Sequence, residues 1–216
     1  MNQGITRRRW MAGSAAAAGA AWLAEASAPA AEDDAPEDGY HVYFGDLHNH
    51  NSVGYAQGSL ERTFEIARSH LDFFAFTPHG YWHDIGHYEN NIENKWLAGF
   101  EVTRKRWPDV PARFRTYDEP GVFVPIAGFE WHSTSLGDYH ILFPGLEAEY
   151  VRFDDLRKFQ QFARKRGAIM APHHPANRLG HRGAHLKHLD PKVSPVIEIF
   201  SEWGCAEHDR AAVPAL

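Results

Sequence analysis

Tyr40-His41-Val42-Tyr43-Phe44-Gly45-Asp46-Leu47-His48-Asn49-His50 carries the pattern on which the reading of the fold turns. Its first five residues are aromatic and β-branched, the composition of a strand, and Gly45 closes the run. An aspartate and two histidines follow at once. The same order recurs along the chain. The short apolar run Leu71-Asp72-Phe73-Phe74-Ala75-Phe76 reads as a buried strand stopped at Pro78, with His79 behind it. Val122-Phe123-Val124-Pro125-Ile126-Ala127 reads as a third, its proline marking an end or an edge, and Glu130 and His132 come after it. Tyr139-His140-Ile141-Leu142-Phe143 is a fourth, carrying His140, and Ala168-Ile169-Met170-Ala171 a fifth, ahead of His173 and His174. Pro195-Val196-Ile197-Glu198-Ile199-Phe200 is the last, with Glu198 on it and Glu202 just beyond.

Helical spacing fills the intervals. Leu60, Phe64 and Ala67 recur on one face with Ile66 beside them, and Ile92, Trp96 and Phe100 fall at steps of four in a helix expected from Glu89 to Arg106. Asp154 or Asp155 caps a helix carrying Leu156, Phe159 and Phe162, with basic residues Arg164 to Arg166 in its last turn and Gly167 past its end. Alternation of buried strands with helices implies a parallel α/β architecture, and polar residues at the carboxyl ends of successive strands are what an α/β barrel offers as an active site. Periodicity alone leaves barrel and open sheet undivided.

The residues at those strand ends are metal-ligand types. All fifteen histidines lie beyond residue 40, and imidazole is the commonest protein metal ligand. His48 and His50 fall on the same side of an extended segment, within reach of one ion. Glu130 stands between Phe129 and Trp131, where a lone buried carboxylate is costly and a metal would justify it; its two oxygens suit a bridge between two ions. Asp46 reads either as an acceptor that holds a ligand imidazole or as a plain strand-end cap. His132, Trp82 and His83 either line a substrate cleft, with His132 or His83 protonating a leaving group, or simply pack on loops. His87, His181, His185, His188 and His208 lie in polar stretches and read as solvent-facing. Ser52 and Ser133 match no nucleophile motif, and Cys205 lacks an activating context.

Composition excludes other classes. A chain that is 44% hydrophobic and 13% aromatic is not disordered. The formal net charge is −6, and with Arg7, Arg8 and Arg9 set aside the remainder is more acidic still, the opposite of a nucleic-acid-binding surface. A single cysteine excludes an internal disulfide.

Residues 1–31 read as a secretory signal: Arg7-Arg8-Arg9-Trp10-Met11, an Ala- and Gly-rich stretch, then small residues from Ala28 to Ala31 for cleavage. The paired arginines point to the twin-arginine export machinery. The apolar stretch is shorter and weaker than the roughly 20 residues of a membrane span, so no stable membrane anchor is expected. Residues 32–39 form an acidic linker, and residues 40–216 the one folded domain, placed in the periplasm or outside the cell.

Several of these segments together resemble the motifs of the polymerase and histidinol phosphatase (PHP) superfamily. Tyr43 through His50 resembles its opening motif, Leu71 through His79 its second, Gly128-Phe129-Glu130-Trp131 its third and Pro172-His173-His174-Pro175 its fourth; Gly137 to Phe143 and Glu198 to Glu207 are similar to an exported branch. The resemblance implies a distorted (β/α)7 barrel, incomplete at its C-terminus, with two or three zinc, manganese or iron ions, and hydrolysis of a small phosphate ester. Carried over, His48, His50 and Glu130 hold a first ion; Glu130, His140 and His174, with His173 beside it, a second; and His79 belongs to a third. Glu198, like Asp46, would support the ligands. Pro78 stands where the second motif has aspartate, Ala56 and Gln57 where a ligand is expected, and the closing Asp-x-His motif has no counterpart. The second reading implied is therefore a truncated or catalytically inactive barrel that binds metal or ligand without turnover.

Overall fold

The architecture was obtained as a computed structural model, which describes residues 41–177, 179–201 and 204–207. The signal, the linker, Tyr40, Glu202 and His208 lie outside the described residues.

Eight strands and four α-helices are described: β1 (Gly45–Asp46), α1 (Leu60–His70), β2 (Phe73–Phe76), β3 (His79–Trp82), α2 (Glu93–Arg106), α3 (Val110–Tyr117), β4 (Val124–His132), β5 (Asp138–Leu142), α4 (Leu156–Arg166), β6 (Ile169–His173), β7 (Phe200–Ser201) and β8 (Gly204–Cys205). The main sheet runs β1-β2-β4-β5-β6, with β3 also paired to β4. β2 and β3 lie parallel to β4 end to end, against its first and second halves. The break between them falls at Thr77-Pro78, and the Pro78 carbonyl accepts the Glu130 N–H at 2.9 Å, which keeps the register.

The sheet is mixed, which departs from the parallel arrangement expected. β5 is antiparallel to both β4 and β6. The cause is the length of the connection: residues 133–137 leave no room for the crossover that a parallel neighbour requires. Among the described residues the sheet is open, with β1 and β6 as its outer strands, so a seven-stranded closed barrel is not what they form.

Both ends of the expected strand set also differ. Pairing begins only at Gly45, not in the His41–Phe44 run, where Val42 and Phe44 are exposed. Gly45 pairs with Phe73, and a Cβ there would meet the Phe73 ring at 2.0 Å. The 195–199 segment makes no ladder with β6, to which Met170 N–H to Val193 O and Glu198 N–H to Pro172 O bind this stretch. Pro172 and Pro195 have no N–H to return. In place of one helix from Glu89, a turn at Glu89–Asn91 precedes α2, with Asn90 and Asn91 at positive φ. β3 and α3 had no counterpart in the expected set.

Alternation along the strands sorts the two faces. On β4, Phe129 and Trp131 point to the helices and are fully buried, and Tyr139 and Ile141 do the same on β5. α4 closes this side. Asp155 caps it by accepting the Lys158 N–H, and Gly167 ends it in the left-handed conformation. Its Phe159 sits 5.7 Å from Trp131 and 6.2 Å from Phe129 between ring centroids. The other face carries Glu130, His132, Asp138, His140 and His173, all buried.

Phe159→Ala should therefore cost about 3–5 kcal/mol of stability, measurable by denaturant unfolding; a loss below about 1 kcal/mol would mean that α4 does not seal this core.

Candidate metal centre

Glu130 is the focus of the polar face. Register sets His79 of β3 across from it on one side and His140 of β5 on the other. His132 follows two residues along β4, and His173 ends β6 opposite Asp138. His48 and His50 arrive from the loop after β1, which is tied to the end of β2 by the Asn49 N–H bonding Thr77 Oγ1 at 2.9 Å and the Thr77 N–H bonding Asn49 O at 3.1 Å.

β1 and β6 stand four strand spacings apart in the sheet order, about 19 Å if the sheet were flat. Yet the His48 and His173 ring centroids are 4.9 Å apart. The sheet is curled into a half-barrel, and its concave face gathers ligands that are 125 residues apart in the chain.

Around Oε1 of Glu130 lie Nε2 of His48 at 2.9 Å, of His140 and His173 at 3.1 Å, and of His50 at 3.3 Å. Oε2 has Nε2 of His132 at 3.2 Å and of His79 at 3.5 Å. A carboxylate oxygen has two lone pairs and cannot accept from four donors. Glu130 Oε2, His132 Nε2 and both His173 nitrogens are in fact buried without a hydrogen bond, and His48 Nε2 faces His50 Nε2 at 3.0 Å. Nitrogen lone pairs converging on one carboxylate are the arrangement that divalent cations satisfy. Two overlapping sets qualify, His48-Glu130-His140-His173 and His50-His79-Glu130, with Glu130 common to both; a third comprises Asp138, His173 and His174. The donors present thus fit more than one ion, with Glu130 as the bridge.

The charge states of His79, His140 and His173 agree with a ligand role, while His48 holds a proton that a bound cation would have to displace. Burial lowers His140 to about 4 and pushes His79 and His173 well below the ordinary histidine range, so these imidazoles are neutral at pH 7 and keep a free lone pair. Burial opposes ionisation of Glu130, but the surrounding imidazoles hold it as a carboxylate. His48 is opposed by burial too, yet its hydrogen bonds to Glu130 and Glu198 carry it up to about 10.

Glu198 accepts from His48 Nδ1 at 2.6 Å and from the His174 backbone N–H at 3.2 Å, which turns Nε2 of His48 toward Glu130. Asp46 instead accepts the His48 backbone N–H at 2.9 Å and the Asn49 side-chain amide at 3.2 Å. It shapes the loop as a cap and holds no imidazole. His173, not His174, is the histidine beside Glu130. His174, at a left-handed backbone position with φ +53°, puts its Nδ1 near Ser201 at 3.3 Å and Glu198 at 3.6 Å, and it belongs only to the third set. His83 is not brought to the centre; its ring stacks on Trp131 at 5.1 Å.

Two residues here had not been singled out. Asp138 is fully buried and accepts from Arg182 Nε at 2.7 Å and the Ser133 N–H at 3.1 Å, with His132 Nδ1 at 3.2 Å. Its position two residues before His140 puts both on one strand face, a signal available once β5 is extended back by one residue. Arg182 lies in a loop at φ +69°, and no local pattern marks it.

The centre opens into a cavity of about 750 Å³ bordered by Arg182, Tyr55 and Trp82 among others.

No protein-family model matches this chain, and no curated protein does. Among solved structures, it is similar to PsfC from Pseudomonas syringae at 14% identity and a TM-score of 0.46, covering 73% of this chain and 64% of that one. It is also similar to a two-domain protein from Bacteroides vulgatus containing a predicted PHP-like metal-dependent phosphoesterase, at 17% identity and a TM-score of 0.36, covering 69% of this chain and 40% of that one. The matches span less than two thirds of either neighbour.

Purified protein should carry divalent metal by elemental analysis, and a chelator should lower its melting temperature. Glu130→Ala should hold only background metal and melt at a temperature indifferent to chelator. Glu198→Ala should weaken metal affinity by about 10–100-fold. Melting curves that ignore the chelator in the unaltered protein would count against the centre.

Proposed function

We propose that the chain is a metal-dependent hydrolase of the PHP type that acts on phosphate esters. The observation that carries this reading is the single buried carboxylate shared by two imidazole sets at the floor of an open cavity. Zinc, manganese or iron suits such a donor set, and would supply the Lewis acidity that activates water and polarises a phosphoryl oxygen.

The chain's own residues favour an anionic substrate. Arg182 borders the cavity with its guanidinium gripped by Asp138, through Nε at 2.7 Å and Nη2 at 2.5 Å, and laid over the Trp82 ring at 4.9 Å. So fixed, it presents positive charge to a phosphate at little further cost in side-chain entropy. Of the two candidates for protonating the leaving group, His132 stands beside Glu130 and His83 does not; Asp138 and Arg182 Nη2 both lie at its Nδ1.

The same reading places the protein outside the cytoplasm, supported by the paired arginines and small-residue cleavage region of residues 1–31. Among the described residues no helix is long and apolar enough to cross a membrane.

Hydrolysis of para-nitrophenyl phosphate should appear on loading with zinc, manganese or iron and vanish in Glu130→Ala, while Arg182→Ala should raise KM about tenfold. Absence of turnover with all three metals would overturn the assignment. Lysine at both Arg7 and Arg8 should retain the protein inside the cell, as fractionation and immunoblotting would show; undiminished export would refute the twin-arginine route.

A further inference from the structure

One wall of the cavity is aromatic for a reason that core packing does not supply. Trp82, Tyr88 and Trp96 border it, and although Trp82 is buried, none of the three belongs to the main hydrophobic core. They form a series leading away from the metal centre. Arg182 lies over Trp82, the Trp82 and Trp96 rings stack with centroids 5.5 Å apart and planes at 27°, and Tyr88 stands edge-on to Trp96 at 5.0 Å and 79°. A second series, Tyr55 on His79 at 3.9 Å and His79 on His50 at 3.8 Å, leads from the cavity directly to the centre.

The first series is fixed in place. The Trp82 Nε1–H is shared between Asp84 Oδ1 at 3.1 Å and Thr134 Oγ1 at 3.0 Å. Asp84 is itself anchored by the backbone N–H groups of Thr134 at 2.7 Å and Ser135 at 3.0 Å and by the Ser133 hydroxyl at 2.9 Å. This carboxylate clasps the end of β3 to the β4–β5 connection and sets the plane of the indole before any ligand arrives. Trp82 already has Arg182 and Trp96 against its ring. Within this series the rings left to a ligand are half-buried Trp96 and Tyr88, which is 37% exposed. A flat aromatic group is what such ring faces bind.

We propose, building on the phosphoesterase reading, that the leaving group of the substrate bears a planar aromatic ring, which lies against Trp96 and Tyr88 while the phosphate sits between Arg182 and the metal centre. Stacking on these rings then selects esters with an aromatic leaving group over simple alkyl phosphates.

Calorimetric titration of the metal-loaded protein with phosphonates, which are not hydrolysed, tests this by binding alone. Phenylphosphonate should bind about tenfold more tightly than methylphosphonate, the scale of one good aromatic contact, and more tightly than cyclohexylphosphonate, which is of similar size but not flat. Trp96→Ala should reduce the phenyl preference to within about twofold and leave methylphosphonate unchanged, while Trp96→Phe should retain most of it. Equal binding of the three phosphonates, parity of phenyl with cyclohexyl, or a preference that survives Trp96→Ala and Tyr88→Ala overturns the ring preference and leaves the phosphoesterase reading standing. Failure of every phosphonate to bind overturns both.

Discussion

The carboxylate of Glu130 is buried, with six imidazole nitrogens within 3.5 Å of its two oxygens, and every strand of the main sheet except β2 supplies one of those imidazoles or leads into the loop that does. An ionised carboxylate between Phe129 and Trp131 is tolerable only if its charge is met. The imidazoles that meet it come from β3, β4, β5, β6 and the loop after β1. Because His79, His140 and His173 are themselves neutral, they oppose the carboxylate's charge incompletely and leave lone pairs without donors. The cluster therefore resolves its own electrostatics best around cations. A metal centre of this kind couples binding to folding, since segments far apart in sequence have to converge before any ion finds its ligands.

Two further carboxylates extend this organisation outward. Asp138 joins β5 to Arg182 and His132, so that a cation at the cavity wall and an imidazole at the centre share one anchor. Asp84 joins the end of β3 to residues 133–135 and holds Trp82. Each meets several donors at once, which fixes side chains on loops almost as firmly as strands would. Glu198 acts in the same sense on His48, though no ladder holds its own backbone. Close approach between strands matters equally. A Cβ at Gly80 would meet the Glu130 carbonyl at 2.6 Å, and at Gly128 the Ile141 carbonyl at 2.4 Å, so glycine at both positions lets β3 and β5 close on β4 at the height of the site.

Much of the site was legible from residue type and phase. His48, His50, His79, Glu130, His140 and His173 stand out because each follows or occupies an apolar run. α1 was legible from spacing and α4 from spacing and its cap; in the structure Ser59 and Asp155 each accept the N–H three residues on. What escaped was set by partners remote in sequence. The antiparallel course of β5 is the exception, set by the short 133–137 connection rather than by a distant partner. Which of His173 and His174 stands beside Glu130 is a matter of three-dimensional placement that no composition announces. Asp138 and Arg182 acquire their role only from each other, 44 residues apart.

By itself, the sequence determined the inner strands β2, β4, β5 and β6, the helices α1 and α4, their buried faces and the stock of ligands, because strand alternation and helical periodicity are local properties and imidazole and carboxylate keep their chemistry in any fold. The tertiary structure decided the curl of the sheet, the sharing of one carboxylate between two sets of histidines, and the aromatic wall that Asp84 holds beside them. Those depend on distances between segments separated by dozens of residues, and such distances are settled by packing and by the need to meet every buried charge, not by any pattern within a segment.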